Sequence, residues 1–274
     1  MKAFLSIISL SLALVSCHKD VLLTNNTNNF PSIQSFILAG SDSILVKVST
    51  LAPYTNDSLD TAKPLTGLKL YINNYLLTEQ TPGTYIYTSK SLLIHPKDSF
   101  ILNLAYNNKT ISSNTVIPSK PLNFKISSDT VSITQQTVAP SKGNHSGFNI
   151  GFNNSNAFIF TWDNPFKDYH YIIIQLLDTA QVFINSYSTN TNVRSQTTTP
   201  VNQDNAYDLT QNSLRLYGKY RAVLYKINKE YYNVLQTSNL NSNAMTNPPS
   251  NITNGWGIFT GISTDTLYFS VLKR

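Results

Sequence analysis

The chain has 274 residues, of which only 12% are charged, with a formal net charge of +6 and a single cysteine. So mild a basic balance, with no Lys/Arg cluster, argues against nucleic acid as a partner, and one cysteine leaves no disulfide framework or thiolate metal centre. The fold must be held by an apolar core, and the length suffices for two ordinary all-β domains.

In chain order, Lys2 and the apolar run over residues 4–15 read as a signal peptide, residues 1–16, too short to span a bilayer permanently. Leu14-Val15-Ser16-Cys17 resembles the lipobox of bacterial lipoproteins. The resemblance implies cleavage by signal peptidase II and acylation of Cys17, where each buried methylene contributes roughly 0.8 kcal/mol and two chains suffice for stable anchoring. The alternative is a free thiol behind an ordinary secretory signal or buried membrane segment. Residues 17–29, rich in Asn and Thr, have nothing to bury and read as a lipidated tether. The expected location is the outer membrane, lipid-anchored, with the body facing the cell surface. Asp20 is the one acid just after the cysteine.

Residues 30–121 alternate as half-buried strands do, with Ser43-Ile44-Leu45-Val46-Lys47-Val48-Ser49 a clear instance. Asn73-Asn74 and Asn107-Asn108 each sit between apolar runs as two-residue hairpin turns, since Asn tolerates positive backbone angles. Pro82-Gly83 marks a further turn. These spacings predict an immunoglobulin-like β-sandwich that ends at Ile117-Pro118 to Pro121.

Residues 122–274 are expected to form a second sandwich. Phe158-Ile159-Phe160-Thr161-Trp162 and Tyr169-His170-Tyr171-Ile172-Ile173-Ile174-Gln175-Leu176 resemble the paired strands of fibronectin type III domains, with Trp162 inward in the core. The polar stretch over residues 135–156 is a long loop or a weak hairpin. Residues 220–227 form another strand. Residues 229–240, without Gly or Pro, predict a helix, on which Tyr231 and Tyr232 cannot both face inward, so one is a contact candidate. In Gly255-Trp256-Gly257-Ile258-Phe259-Thr260-Gly261 the expected form is a crossing loop whose aromatics plug the sandwich end. The functional reading makes Trp256 and Phe259 a pocket wall or docking edge.

The tail residues Ile227-Asn228-Lys229-Glu230-Tyr231-Tyr232, Asn247-Pro248-Pro249-Ser250-Asn251-Ile252 and Gly255 to Gly261 resemble the closing pattern of a Bacteroidota lipoprotein family known as domain of unknown function 4249. Pro53-Tyr54, Pro64-Leu65-Thr66-Gly67, Pro82-Gly83-Thr84-Tyr85 and Val116-Ile117-Pro118 fit it too. The resemblance implies an accessory part in uptake or envelope assembly beside a TonB-dependent outer-membrane receptor, and names neither a ligand nor a catalytic residue.

No cofactor or metal is expected. His18, His95, His145 and His170 are scattered without ligand spacing, Glu79 and Glu230 are the only glutamates, and a glycoside-cleaving pair would need carboxylates such as Asp163 and Asp168 to converge in space. Six Asp-Ser/Thr-aliphatic triplets match an O-glycosylation form used in the Bacteroidota periplasm, with acceptors Ser43, Ser58, Thr61, Thr130, Thr179 and Thr266. Such triplets also begin strands after turns without any sugar. The expectation is a non-catalytic binding subunit associated with a TonB-dependent transporter. The alternatives are a structural or adhesive envelope subunit and a hydrolase assembled between domains.

Overall fold

A computed structural model of the chain describes residues 30–51, 62–88, 92–135, 156–185, 195–237 and 249–274. In the first half the strands are β1 (Ser32–Leu38), β2 (Ser43–Ser49), β3 (Leu70–Ile72), β4 (Tyr75–Leu76), β5 (Thr78–Thr81), β6 (Thr84–Thr88), β7 (Ser99–Tyr106) and β8 (Lys109–Val116). The second half carries β9 (Leu122–Ile126), β10 (Thr130–Ile133), β11 (Asn156–Asp163), β12 (Tyr169–Leu176), β13 (Val182–Phe183), β14 (Gln196–Thr198), β15 (Ala206–Thr210), β16 (Leu216–Ile227), the helix α1 (Lys229–Thr237) and β17 (Trp256–Lys273).

Local turn chemistry sets the hairpins. Asn73 and Asn74 have φ of 48° and 69°, and Asn107 and Asn108 have 48° and 59°, as a tight turn with two left-handed residues requires. β1 and β2 bury every second residue, so Ile33, Ile37, Ile44, Val46 and Val48 enter the core.

The fold is all-β, two sandwiches that share one sheet. Ten strands form it, with the order β14-β12-β16-β17-β1-β2-β6-β5 and with β10 and β13 attached to β17 and β16. The four-stranded sheet β4-β3-β7-β8 closes the first core and the three-stranded sheet β15-β11-β9 closes the second. Trp162 lies in the second core beside Phe124 and Phe160.

β17 makes the shared sheet. Its first seven residues pair in parallel with β1, Ser32 opposite Trp256 through Leu38 opposite Ile262. The remainder pairs antiparallel with β16, from Ile262 opposite Ile227 to Val271 opposite Gly218. Phe259 is consequently buried in the first core while Phe269 and Val271 are buried in the second. The crossing loop expected at residues 255–261 is therefore a strand from Trp256 onward. Gly257 is not a loop residue; it lets the β17 backbone run against Ile33. A division at residue 121 likewise cuts through the first core, which takes Ile252 and Phe259 from the far end of the chain.

The segments Pro64 to Gly67 and Pro82 to Tyr85 meet around Glu79. Its carboxylate accepts from Gly67 N at 2.8 Å and Gly83 N at 2.9 Å, and Tyr85 Oη donates to Leu65 O while accepting from Leu68 N. The bond from Gly67 N, then that from Gly83 N, holds the Glu79 carboxyl below its ordinary value. Such a depressed pKa stabilises the fold above the ordinary carboxylate range and is lost as pH falls through the folded value. Glu79→Gln is expected to make the acid limb of a thermal-midpoint curve shallower below about pH 4.5. An unchanged acid limb would remove Glu79 from that role.

Candidate interaction face

The pleat of β17 keeps one phase along its length. Phe259, Gly261, Ser263, Phe269 and Val271 are buried, whereas Thr266 and Tyr268 are exposed. Both smaller sheets thus lie on one side of the ten-stranded sheet, and the other side is left for α1 and solvent.

On that outer side, register builds rows of side chains. Tyr268 stands opposite Arg221, Arg221 opposite Gln175, and Gln175 opposite Gln196. The next row is Thr266, Val223, Ile173 and Thr198. Tyr268 is 63% exposed. Arg221 Nη2 donates to Gln175 Oε1 at 2.7 Å, which pins the guanidinium to its cross-strand neighbour. Its Nε is buried and has no hydrogen-bond partner among the described residues.

α1 forms a ridge across this face where the two sandwiches meet. Tyr232 stacks on Tyr169 with centroids 4.0 Å apart, and Tyr231 lies 4.9 Å from the Phe36 ring of β1. Tyr171 stacks on Tyr225 at 4.7 Å. Burial, then the neighbouring Tyr231 and Tyr225, raises the Tyr171 hydroxyl far above its ordinary pKa. Both helix tyrosines are half-buried. Tyr231 packs on Phe36 of the first sandwich and Tyr232 on Tyr169 of the second, so neither is wholly inward.

A polar seam fastens the same junction. Glu230 Oε1 accepts from Thr115 Oγ1 at 3.3 Å and Thr260 Oγ1 at 3.1 Å, and Asn228 Nδ2 donates to Thr115 Oγ1 and Val116 O. Ser263 Oγ donates to Pro118 O at 2.6 Å and Lys226 Nζ donates to Ser119 Oγ at 2.8 Å. Lys226 also pairs with Asp168, and Lys120 with Asp265. Asn251 takes the place of a ladder partner for β17, bonding both N and O of Phe259.

The other candidates are dispersed. Phe259 is fully buried, so it serves the core and offers no ligand surface. Trp256 is half-buried at the start of β17. Thr130, Thr179 and Thr266 are exposed, and Ser43 is half-buried beside Ser41. Leu14, Val15, Ser16, Cys17, Ser58, Thr61, His18 and His145 lie outside the described residues. His95 sits 3.6 Å from Asp98. Asp163 accepts from Asn123, so each of Asp163 and Asp168 has its own partner. Among the described residues no group of three metal-ligating side chains converges.

His170 is buried at 1% exposure. Its Nδ1 lies 3.0 Å from the carbonyl oxygen of Asp168, which can only accept, so the proton sits on Nδ1. Nε2 has no partner among the described residues, and neither has Trp162 Nε1, the two rings being 5.8 Å apart.

A family model described as Domain of unknown function (DUF4249) matches residues 21–267. The chain belongs to this family. Within the matched range, Asn228, Glu230 and Asn251 build the seam, Tyr231 and Tyr232 lie on α1, and Gly257 and Phe259 belong to the shared strand. No curated protein matches the chain. Among solved structures it is similar to the DIP-gamma IG1+IG2 crystal structure, at 10% identity and TM-score 0.18, covering 90% of this chain and 99% of that one. It is also similar to the full ectodomain (Ig1-Ig3) of mouse nectin-like molecule 4, at 9% identity and TM-score 0.20, covering 90% of this chain and 65% of that one. The sandwich assignment rests on strand order and register, not on these superpositions.

The Arg221 and Tyr268 row escaped the sequence reading. Its one signal was the outward phase of Arg221 and Val223 within residues 220–227. Which strands lie beside that phase is set by pairing over long sequence separations.

Proposed function

We propose that this DUF4249 chain is a Bacteroidota lipoprotein of the outer membrane, anchored through lipid on Cys17. Its two-sandwich body is a non-catalytic binding subunit beside a TonB-dependent receptor, on the cell surface. The observation that best supports binding is the outer face of the ten-stranded sheet, where exposed Tyr268 adjoins a pinned Arg221 with Gln175 and Gln196 in line. An aromatic ring beside planar polar groups suits ligands with both apolar and hydrogen-bonding surfaces. On the same side Phe36, Leu38 and Leu45 are 38%, 41% and 40% exposed, which favours, as the second reading, a structural or adhesive subunit held by protein contacts. Sugar addition to the exposed Thr130, Thr179 and Thr266, and to Ser43, Ser58 and Thr61, belongs to the same proposal.

The test is affinity purification of the tagged chain from detergent-solubilised outer membranes, alongside Cys17→Ser. The parent is expected in the membrane fraction with a receptor in near-equal amount, and Cys17→Ser in the soluble fraction. Equal membrane retention of both proteins would end the lipid-anchor reading. A membrane-bound parent that brings down envelope assembly or adhesion proteins without a receptor would favour the second reading.

A further inference from the structure

We propose that β17 is a complementing strand that makes both sandwiches one folding unit, so that the first sandwich stays open along its β1 edge until residues 256–262 are in place. β1 has β2 on one side, and among the described residues its other edge is covered by residues 256–262 alone. An uncovered edge presents a row of unpaired backbone groups. The gap is also apolar: Ile252 and Phe259 fill the first core from the tail.

The insertion is fitted on both flanks. Ser112 pairs with Thr253, Ser113 Oγ donates to Asn251 O at 2.7 Å, and Asn254 Nδ2 donates to Thr110 O at 2.9 Å, so the approach to β17 is tied to β8. Gly255 and Gly261 come so close to Ile252 and Pro31, and to Val116 and Ile117, that an added Cβ would lie 2.8 Å from the nearest atoms. Past Ile262 the same strand becomes the β16 partner and closes the second core with Phe269 and Val271. Loss of order in residues 256–262 therefore reaches the second sandwich through continuous backbone. A chain exported from its N-terminus would cross the membrane before its first sandwich could close; that clause alone rests on the lipoprotein reading.

Two measurements on the full chain test this. Phe259→Ala is made in a Trp256→Phe background, so that Trp162 in the second core is the remaining tryptophan. The expected result is one unfolding transition with a lowered denaturant midpoint, the same from Trp162 fluorescence as from hydrogen exchange of the β1 and β2 amides. Phe259→Leu gives the same reading if the alanine protein does not fold. A Trp162 midpoint at the parent value while β1 and β2 lose protection overturns the proposal, as does unchanged protection of β1 and β2. In the second measurement the ribosome-bound chain is digested with and without a C-terminal extension that brings residue 274 out of the tunnel. Residues 30–121 are expected to resist protease only with the extension, and resistance in both overturns the proposal.

Discussion

Gly257→Ala is expected to cost about 3–5 kcal/mol of stability, a large share of the 5–15 kcal/mol typical of a folded domain. Two causes add. The φ of +107° is one that L residues rarely adopt, and a Cβ there would stand 2.0 Å from Ile33 O and 2.9 Å from Ile33 C. Both atoms are backbone, so no rotamer change relieves the contact, and β17 must draw away from β1. Gly40 is the control, because its φ is +84° with nothing within 4 Å of an added Cβ. Gly40→Ala then carries the conformational cost alone, about 1 kcal/mol. Urea unfolding of the two variants separates these causes, and equal midpoints would mean that the β1 and β17 backbones are not in close contact.

Acid is expected to destabilise the protein through His170. Burial is the main cause of its pKa falling from 6.5 to about 4; the bond to Asp168 O opposes it, the Lys226 charge adds to it, and the Asp168 carboxylate opposes it. A folded value below the unfolded one means that the neutral ring stabilises the fold above pH 6.5, and that this contribution is lost as pH falls toward about 4. At 1.36 kcal/mol per unit the window amounts to about 3 kcal/mol. Stability measured across it should decline steadily in the parent and stay nearly level in His170→Phe. A parent curve that is flat over that interval would show that His170 is solvated.

Elements whose cause is local could be read directly from residues. The Asn73-Asn74 and Asn107-Asn108 turns, the alternation of β1 and β2, and a helix from Lys229 all follow from backbone preferences within a few positions. β17 does not. Gly257 looks like a loop residue because the reason for it is Ile33, more than two hundred positions away, and parallel pairing leaves no hairpin signature. The candidate site divides in the same way. Tyr231 and Tyr232 could be picked out as neighbouring aromatics on a helix, but Phe36 and Tyr169, which occupy their faces, come from different sandwiches. Tyr268, Arg221, Gln175 and Gln196 become one row only when four strands are in register. Phe259 could be read as a plug of the sandwich end or as a docking edge, and the pairing of β17 with β1 decides for burial in the first core.

The parallel pairing of β1 and β17 also has a mechanical meaning. A pull between residue 30 and the second sandwich would draw β1 toward its own start and β17 toward its own end. The two strands would then slide past each other, loading all seven residue pairs at once instead of peeling them one at a time. Any tether ahead of β1 and any load carried by the second sandwich would thus meet in shear across this ladder, the direction in which it yields last.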